Sequence, residues 1–319
     1  MDARAADSAR APDASGSFRH ELFFYGGESN FLDGALPYVR TGLAAGENVM
    51  VAVDRDQIES LRSELGRDAD KVTFTDVTVV GRNPAAIIPL WHDFVEHSSG
   101  RPCRGLCEPA WPSRSAAALV ECRNHEALID VAFGEGPAWN LLCSFDESTL
   151  PEHVIADARA THQYLVNGEE SHPNSAYELG APGWLGRDDP LTAPPASTQQ
   201  VDFGRRSLGD VRSAVEDHAL AVGLSAARTA DFVLAMNELV GNSVRHGGGG
   251  GELRLWREGD SVVGEVSDQG TITDPLAGRR RPTPEQDGGR GLWIANQVCD
   301  LLEIRSEPGA TVVRAHVGR

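Results

Sequence analysis

Lysine is almost missing from this chain. Of 29 basic residues only Lys71 is a lysine, and it opens a strand-like run rather than a glycine-rich loop. Chemistry that needs a phosphate-binding or Schiff-base lysine therefore has a single, badly placed candidate. Cysteine is scarce too: Cys103, Cys107, Cys122, Cys143 and Cys299 form an odd, scattered set. With no secretory pattern in residues 1–17, they argue for a reduced, cytoplasmic chain rather than a disulfide framework. Long apolar runs are also lacking. None approaches the roughly 18 residues of a membrane span, so no membrane association is expected. Positive charge is outweighed, 29 basic residues facing 47 acidic ones for a net −18. A field of that sign repels phosphate backbones and anionic lipid and disfavours direct nucleic-acid binding by the surface as a whole.

What remains is globular composition. At 319 residues and 40% hydrophobic, the chain has material for two cores. The break falls at residues 167–200, where five prolines and four glycines deny regular helix or a central strand. This stretch is expected to be a linker, with Tyr177, Trp184 and Leu185 able to pin it to a domain surface. Residues 1–17 read as a loose tail, 18–166 as a first domain and 201–319 as a second.

The first domain alternates strand and helix signals. Strands are expected at Leu22–Tyr25, Asn48–Val53, Val72–Thr75 and Trp139–Ser144. Helices are expected at Phe31–Ala45, Arg55–Leu65, after Asn83-Pro84 with a kink at Pro89, at Ser115–Ala132 and at Glu152–Leu165. That order implies an α/β domain with a mostly parallel sheet covered on both faces. The second domain runs helix, helix, strand, strand, short helix, hairpin. Leu208, Val211, Val215, Ala219 and Val222 fall at helical spacing, Gly223 stops that helix, and Ser225 N-caps another reaching His246. Strands at Glu252–Trp256 and Ser261–Ser267 precede a helix from Leu292 and a hairpin turning at Glu307-Pro308-Gly309. This is an α+β sandwich with helices on one face of an antiparallel-rich sheet.

The chemistry concentrates in this second domain. In DFVLAMNELVGNSVRHGGGG, Glu238, Asn242 and His246 share one face of an otherwise apolar helix. A polar stripe on such a helix marks a cavity wall or simply its exposed side, and an amide oxygen beside a carboxylate suits Mg²⁺. Asp268 ends a strand in SDQG, where Gly270 permits close backbone approach and the carboxylate can accept from an exocyclic amine. After the long loop Thr271–Asp287, a lid by its length, GGRGL opens a helix. Its glycines offer N–H groups and a dipole end to phosphate, and Arg290 a charge-assisted donor.

Taken in order, these three boxes resemble the ATP-binding fold shared by gyrase, Hsp90, histidine kinases and MutL (the GHKL family). ELVGNSVRHG and GRGLWIANQVCD look most like the anti-sigma-factor serine kinases of the RsbW and SpoIIAB kind. The resemblance covers about residues 200–319. It implies that ATP and Mg²⁺ are bound, with Asn242 on the metal, Asp268 and Gly270 at the adenine, and Gly289, Arg290, Gly291 and Leu292 along the phosphates. It also implies that Glu238 is the general base toward a serine or threonine hydroxyl of an anti-anti-sigma (STAS-type) partner. A sigma factor as second partner and a homodimer are further expectations. The second glycine of the family's first glycine box is absent, Ile272 standing in DQGTI.

HELFFYGGESNFLDG sets a glycine turn between strand and helix where a RecA-like domain carries its P-loop, but no Gly-Lys-Ser/Thr follows and Glu28 would repel phosphate. Together with RGLCEPAWPSRS, ECRNHEALIDVAF and WNLLCSFDESTLP, this segment resembles the MEDS sensory domain, a degenerate RecA/KaiC-like module, over residues 18–166. That implies sensing of a small molecule of unspecified identity. His20, Glu28, Glu108, Trp111, Arg114, Glu121 and His125 are the candidate lining, against ordinary surface or core-satisfied polar residues. A zinc site on Cys103 and Cys107 with His92 or His97 is rejected, because the spacing is loose and no second cysteine pair exists.

The reading is thus a sensor-controlled anti-sigma serine/threonine kinase. Its rivals are an ATP-gated, non-catalytic module that sequesters a partner, and a sensor histidine kinase. The latter needs an acceptor histidine on a two-helix hairpin, whereas here His218 lies on one short helix.

Overall fold

The computed structural model describes residues 17–168, 170–178, 190–283 and 289–319. The tail expected over 1–17 lies outside these apart from Ser17, as do Trp184 and Leu185 and the end of the long loop, residues 284–288. Contacts divide the chain into two compact units, one within residues 1–81 and 90–181, the other within 82–89 and 182–319. Among the described residues no helix is long and apolar enough to cross a membrane.

The first unit begins with β1 (Arg19–Tyr25), α1 (Glu28–Ala44), β2 (Asn48–Val53), α2 (Arg55–Leu65) and β3 (Val72–Asp76). A four-residue turn of helix, α3 (Val77–Val80), and α4 (Ile87–His97) follow, then β4 (Cys103–Cys107), α5 (Ala116–Phe133) and β5 (Asn140–Asp146). It closes with α6 (Glu152–Thr161), β6 (Tyr164–Asn167) and β7 (Glu170–Pro173). The strand order is β3-β2-β4-β5-β1-β6-β7, parallel throughout except for β6 with β7. The mostly parallel α/β sheet expected from the alternating signals is present. The alternating sides of β1 are both buried. Phe23 and Tyr25 pack with Phe31, Tyr38 and Leu61 of α1 and α2, while His20 and Leu22 occupy the opposite side.

Four details depart from the expectation, each for a local reason. First, β4 lies in the middle of the sheet although its sequence, CRGLC, carries an arginine and a glycine. Arg104 is buried there because its Nε donates to Glu47 Oε2 at 2.5 Å and its guanidinium lies 4.6 Å from the centre of the Tyr38 ring. Second, α6 ends at Thr161 rather than running to Leu165. The Thr161 hydroxyl and His162 Nδ1 both bond back to the Ala158 carbonyl, at 3.3 and 2.7 Å, and Tyr164–Val166 then pairs with β1. Third, Pro89 sits in the first turn of α4, where a missing N–H costs no helical bond, so no kink is required. Fourth, part of the 167–200 stretch is edge strand, β7, and Tyr177 donates to Asp130 Oδ2 at 2.6 Å.

The second unit contains β8 (Gln199–Gly204), α7 (Leu208–Val222), α8 (Ala226–His246), β9 (Gly250–Glu258), β10 (Ser261–Asp268), α9 (Arg290–Val298), β11 (Leu301–Glu307) and β12 (Ala310–Gly318). Its sheet is antiparallel in the order β11-β12-β10-β9-β8. Ser225 accepts from the Arg228 N–H to cap α8, and Gly223 ends α7 in the left-handed conformation. Phe232, Ala235, Met236 and Leu239 of α8 join Val262, Val266 and Ala315 of the sheet in one core. β8 has no counterpart in the expected elements. Its six residues, QQVDFG, bury one side chain fully, Phe203.

Candidate functional site: a nucleotide cavity in the second unit

Three chain segments that the sequence singles out come together around one cavity of about 570 Å³. That volume lies inside the range of sites that enclose a small ligand. Asn242, Ser243 and His246 of α8 form one wall, Asp268 and Gly270 the end of β10, and Gly289 and Leu292 the entry to α9. The loop Thr271–Thr283 closes the remaining side with Ile272, Leu276, Arg280 and Arg281. This part of the expected lid is anchored. Ile272 N–H donates to Ser306 Oγ at 2.8 Å, Gly309 N–H to Thr271 Oγ1 at 2.9 Å, and Leu276 N–H to Asp274 Oδ1 at 2.9 Å.

Asp268 is fixed by two donors. Its Oδ1 accepts the Gly270 N–H at 2.7 Å and its Oδ2 the Ser243 hydroxyl. A carboxylate offers about four acceptor positions, so lone pairs remain for an exocyclic amine. Gly247 is packed so closely beneath Asp268 that a Cβ there would lie 2.3 Å from the carboxylate carbon. Ser243 and Thr311 escape the sequence reading. Thr311 Oγ1 donates to the Gly270 carbonyl at 3.1 Å and holds the turn from behind. The signal for Ser243 is a lone hydroxyl on the buried face of α8, but its partner is 25 residues away.

The entry to α9 is equally specific. Gly289 precedes α9 with φ 76°, and among the described residues no side chain caps the helix, so its first-turn N–H groups can take an anion. Gly291 faces α8: a Cβ there would stand 2.9 Å from Asn242 Oδ1 and 3.0 Å from Glu238 Oε2. Glu238 and Asn242 are thus brought to the same turn, both half-buried, and Arg245 donates to Asn242 Oδ1 at 3.0 Å. α9 begins at Arg290, two residues before the expected Leu292. These residues fit a magnesium-nucleotide. The carboxylate that would read a base and the uncapped helix that would hold phosphate line one cavity. Asn242 brings the hard oxygen donor a metal needs beside that helix end.

The candidate lining of the first unit is divided among separate contacts. Glu108 is buried at the end of β4, where Tyr25 donates to its Oε1 at 2.6 Å. Burial pushes Glu108 up to about 7 despite that bond and Gln57, with Asp54 and Asp146 adding to the rise. Arg114 stacks 3.5 Å above Trp111 and donates to the Gly81 carbonyl, Glu121 accepts from Asn124, and Glu28 is exposed at the start of α1. His20 and His125 instead lie against Glu126.

A five-stranded antiparallel sheet with three helices, a strand-end aspartate and a glycine-opened helix around one cavity define an α+β sandwich with the layout of a ligand site. Residues 204–317 match the model of the histidine kinase-like ATPase domain family, and residues 19–163 match MEDS, the methanogen/methylotroph, DcmR sensory domain. The chain is therefore a MEDS domain and a histidine kinase-like ATPase domain in one polypeptide. No curated protein matches it. Similar solved structures include the RsbU and RsbW domains of Rv1364c from Mycobacterium tuberculosis, 21% identical, covering 39% of this chain and 34% of that one at a TM-score of 0.30. This chain thus spans about a third of that structure's length. The histidine kinase AdeS of Acinetobacter baumannii is another, 12% identical over 38% of this chain and 67% of that chain at a TM-score of 0.20.

Proposed function

We propose that this chain is a signal-controlled protein kinase of the anti-sigma type. It uses Mg·ATP to phosphorylate a serine or threonine of a STAS-type anti-anti-sigma protein, a sigma factor being its second partner. The observation that carries this reading is the meeting of Glu238 and Asn242 at Gly291, on the first turn of α9. A carboxylate beside the phosphate-binding turn is where a base must stand to take a proton from an incoming hydroxyl. Bound Mg·ATP supplies the phosphoryl group. Asp268 orients the base, the α9 N-terminus and Arg290 hold the phosphates, Asn242 offers its amide oxygen to the metal, and Glu238 accepts the hydroxyl proton.

A hydroxyl acceptor on a partner is favoured over His218. That side chain lies on α7 with its Nε2 buried, and burial lowers its pKa. The MEDS domain is assigned the input, a small-molecule signal.

The test is a pair of variants in the full chain. Glu238→Ala abolishes transfer to the partner while leaving nucleotide affinity within about twofold, and Asn242→Ala weakens Mg·ATP binding by about tenfold or more. Transfer preserved in Glu238→Ala removes the base from this account, and unchanged affinity in Asn242→Ala removes the metal ligand.

A further inference from the structure

The first unit buries two histidines, a glutamate and a cysteine side by side. His20 stands on β1, Cys143 on β5 and Glu126 on α5, and His162 directly follows α6. All four are buried, and one ligating atom of each lies within 4.8 Å of the other three. His162 Nε2 is 2.9 Å and His20 Nε2 3.2 Å from the same oxygen, Glu126 Oε2. Cys143 Sγ is 3.5 Å from His20 Nε2. Yet neither Glu126 oxygen, nor His162 Nε2, makes a hydrogen bond of ordinary geometry. Buried polar atoms are paired in the great majority of cases. Four donor atoms this close, Glu126 Oε2 and His162 Nε2 without such a bond, surround one shared point.

The spacing suits an ion at that point. A tetrahedral zinc with ligands at about 2.0–2.3 Å has ligand-to-ligand edges of about 3.3–3.6 Å. The three separations of 2.9, 3.2 and 3.5 Å need to open by only a few tenths of an ångström, and the other three pairs, all within 4.8 Å, settle to the same edges around the ion. One imidazole is also held from behind, and the other faces a carboxylate without a hydrogen bond of ordinary geometry. His162 Nδ1 is 2.7 Å from the Ala158 carbonyl, so its N–H donates there and leaves the Nε2 lone pair facing the cluster. His20 Nδ1 faces Asp130 Oδ1 at 3.4 Å, and the other Asp130 oxygen accepts the Tyr177 hydroxyl at 2.6 Å. Metal-ligating histidines are typically anchored this way, by a carbonyl or carboxylate on the far nitrogen.

We propose that His20, Glu126, Cys143 and His162 bind one divalent transition-metal ion of the zinc class. A thiolate and two imidazoles select such an ion over Ca²⁺ or Mg²⁺, and thiolate plus carboxylate match its two charges. On binding, the Cys143 thiol and the His20 Nε2, which must be free of a proton to ligate, each give up a proton to solvent as the bonds to the metal form. Four protein donors complete a tetrahedron and leave no position for water. The ion therefore ties β1, β5, α5 and the end of α6 together instead of activating a substrate.

The full chain, stripped with a chelator, is titrated with Co²⁺ as a spectroscopic stand-in. The expected result is one equivalent bound, a thiolate-to-cobalt charge-transfer band, and intense visible bands of a four-coordinate ion, all displaced by Zn²⁺ with a rise in melting temperature. Cys143→Ser loses the charge-transfer band. Asp130→Asn keeps it but binds about 10- to 100-fold more weakly. Asn242→Ala, in the nucleotide cavity, leaves the spectrum unchanged. No stoichiometric uptake, a weak six-coordinate spectrum, or a band that survives Cys143→Ser overturns the proposal and leaves a buried proton-sharing cluster. If Cys143→Ser does not fold, X-ray absorption of the zinc-loaded wild-type chain decides the same point. A metal–sulfur distance of about 2.3 Å supports the site, and its absence refutes it.

Discussion

At Gly291 the first atom of any side chain would fall 2.7 Å from Asn242 Nδ2 and 3.0 Å from Glu238 Oε2. Gly291→Ala therefore separates packing from function. Alanine favours helix over glycine by roughly 1 kcal/mol, so the melting temperature holds or rises. Mg·ATP affinity falls by about tenfold or more, because Asn242 must move; a thermal melt checks the first and calorimetric titration the second. Ser243 acts one step behind, by fixing Asp268. Ser243→Ala removes one hydrogen bond to a carboxylate, on the order of 1.5 kcal/mol, and weakens nucleotide binding about tenfold without changing transfer at saturating ATP. In the first unit, burial raises Glu108 to about 7, above its ordinary value near 4.5. A carboxylate raised on folding favours the native state when protonated, so stability is fully present below pH 4.5 and is lost as pH climbs through 7. Glu108→Gln stays neutral and should be more stable than the wild type at pH 8, by up to about 3 kcal/mol, with little difference at pH 4. Parallel melts at the two pH values read this directly, and equal wild-type and variant slopes would contradict it.

Elements were legible where one physical signal dominated. α8 shows its cap, its apolar face and its polar stripe in sequence, and it runs from Ala226 to His246 as the pattern requires. β4 was hidden because its Arg104 is tolerable in a central strand only through Glu47, 57 residues away. The end of α6 was hidden for a related reason. His162 and Thr161 look compatible with helix, and only their bonds back to Ala158 turn the chain into β6. That same turn aims His162 at Glu126, so missing the helix end meant missing the metal-like cluster. The second unit's sheet holds a comparable long-range pair. Glu265 of β10 lies opposite Arg314 of β12, with Oε2 accepting from Nη2 at 2.6 Å and Nε at 3.0 Å, both side chains buried. Arg314→Met leaves that carboxylate with only the Arg254 Nη1 donor, 3.3 Å from its Oε1, and should cost about 3 kcal/mol in denaturant unfolding, whereas Arg314→Met with Glu265→Met should recover most of the loss.

Across the whole molecule, the mostly parallel α/β class of the first half, the antiparallel sheet with helices of the second and the order of the three boxes were readable from composition and spacing. What they share is locality: each box is a few residues long, and its chemistry is visible without knowing its neighbours. The closures between boxes, Ser243 on Asp268 and Gly291 against Glu238, need the fold. In the proposed function, a net charge of −18 and a shortage of lysine assign phosphate recognition to arginines and to backbone N–H groups at α9. The account's central claim is that this cavity drives phosphoryl transfer to a hydroxyl on another protein. It is tested most directly by incubating the full chain with γ-labelled Mg·ATP and candidate STAS-type partners, then washing the products in acid. Acid-stable label on a partner serine or threonine, absent with Glu238→Ala, is the predicted result. Acid-labile label on the chain itself, or tight nucleotide binding with no label on any partner, would contradict it.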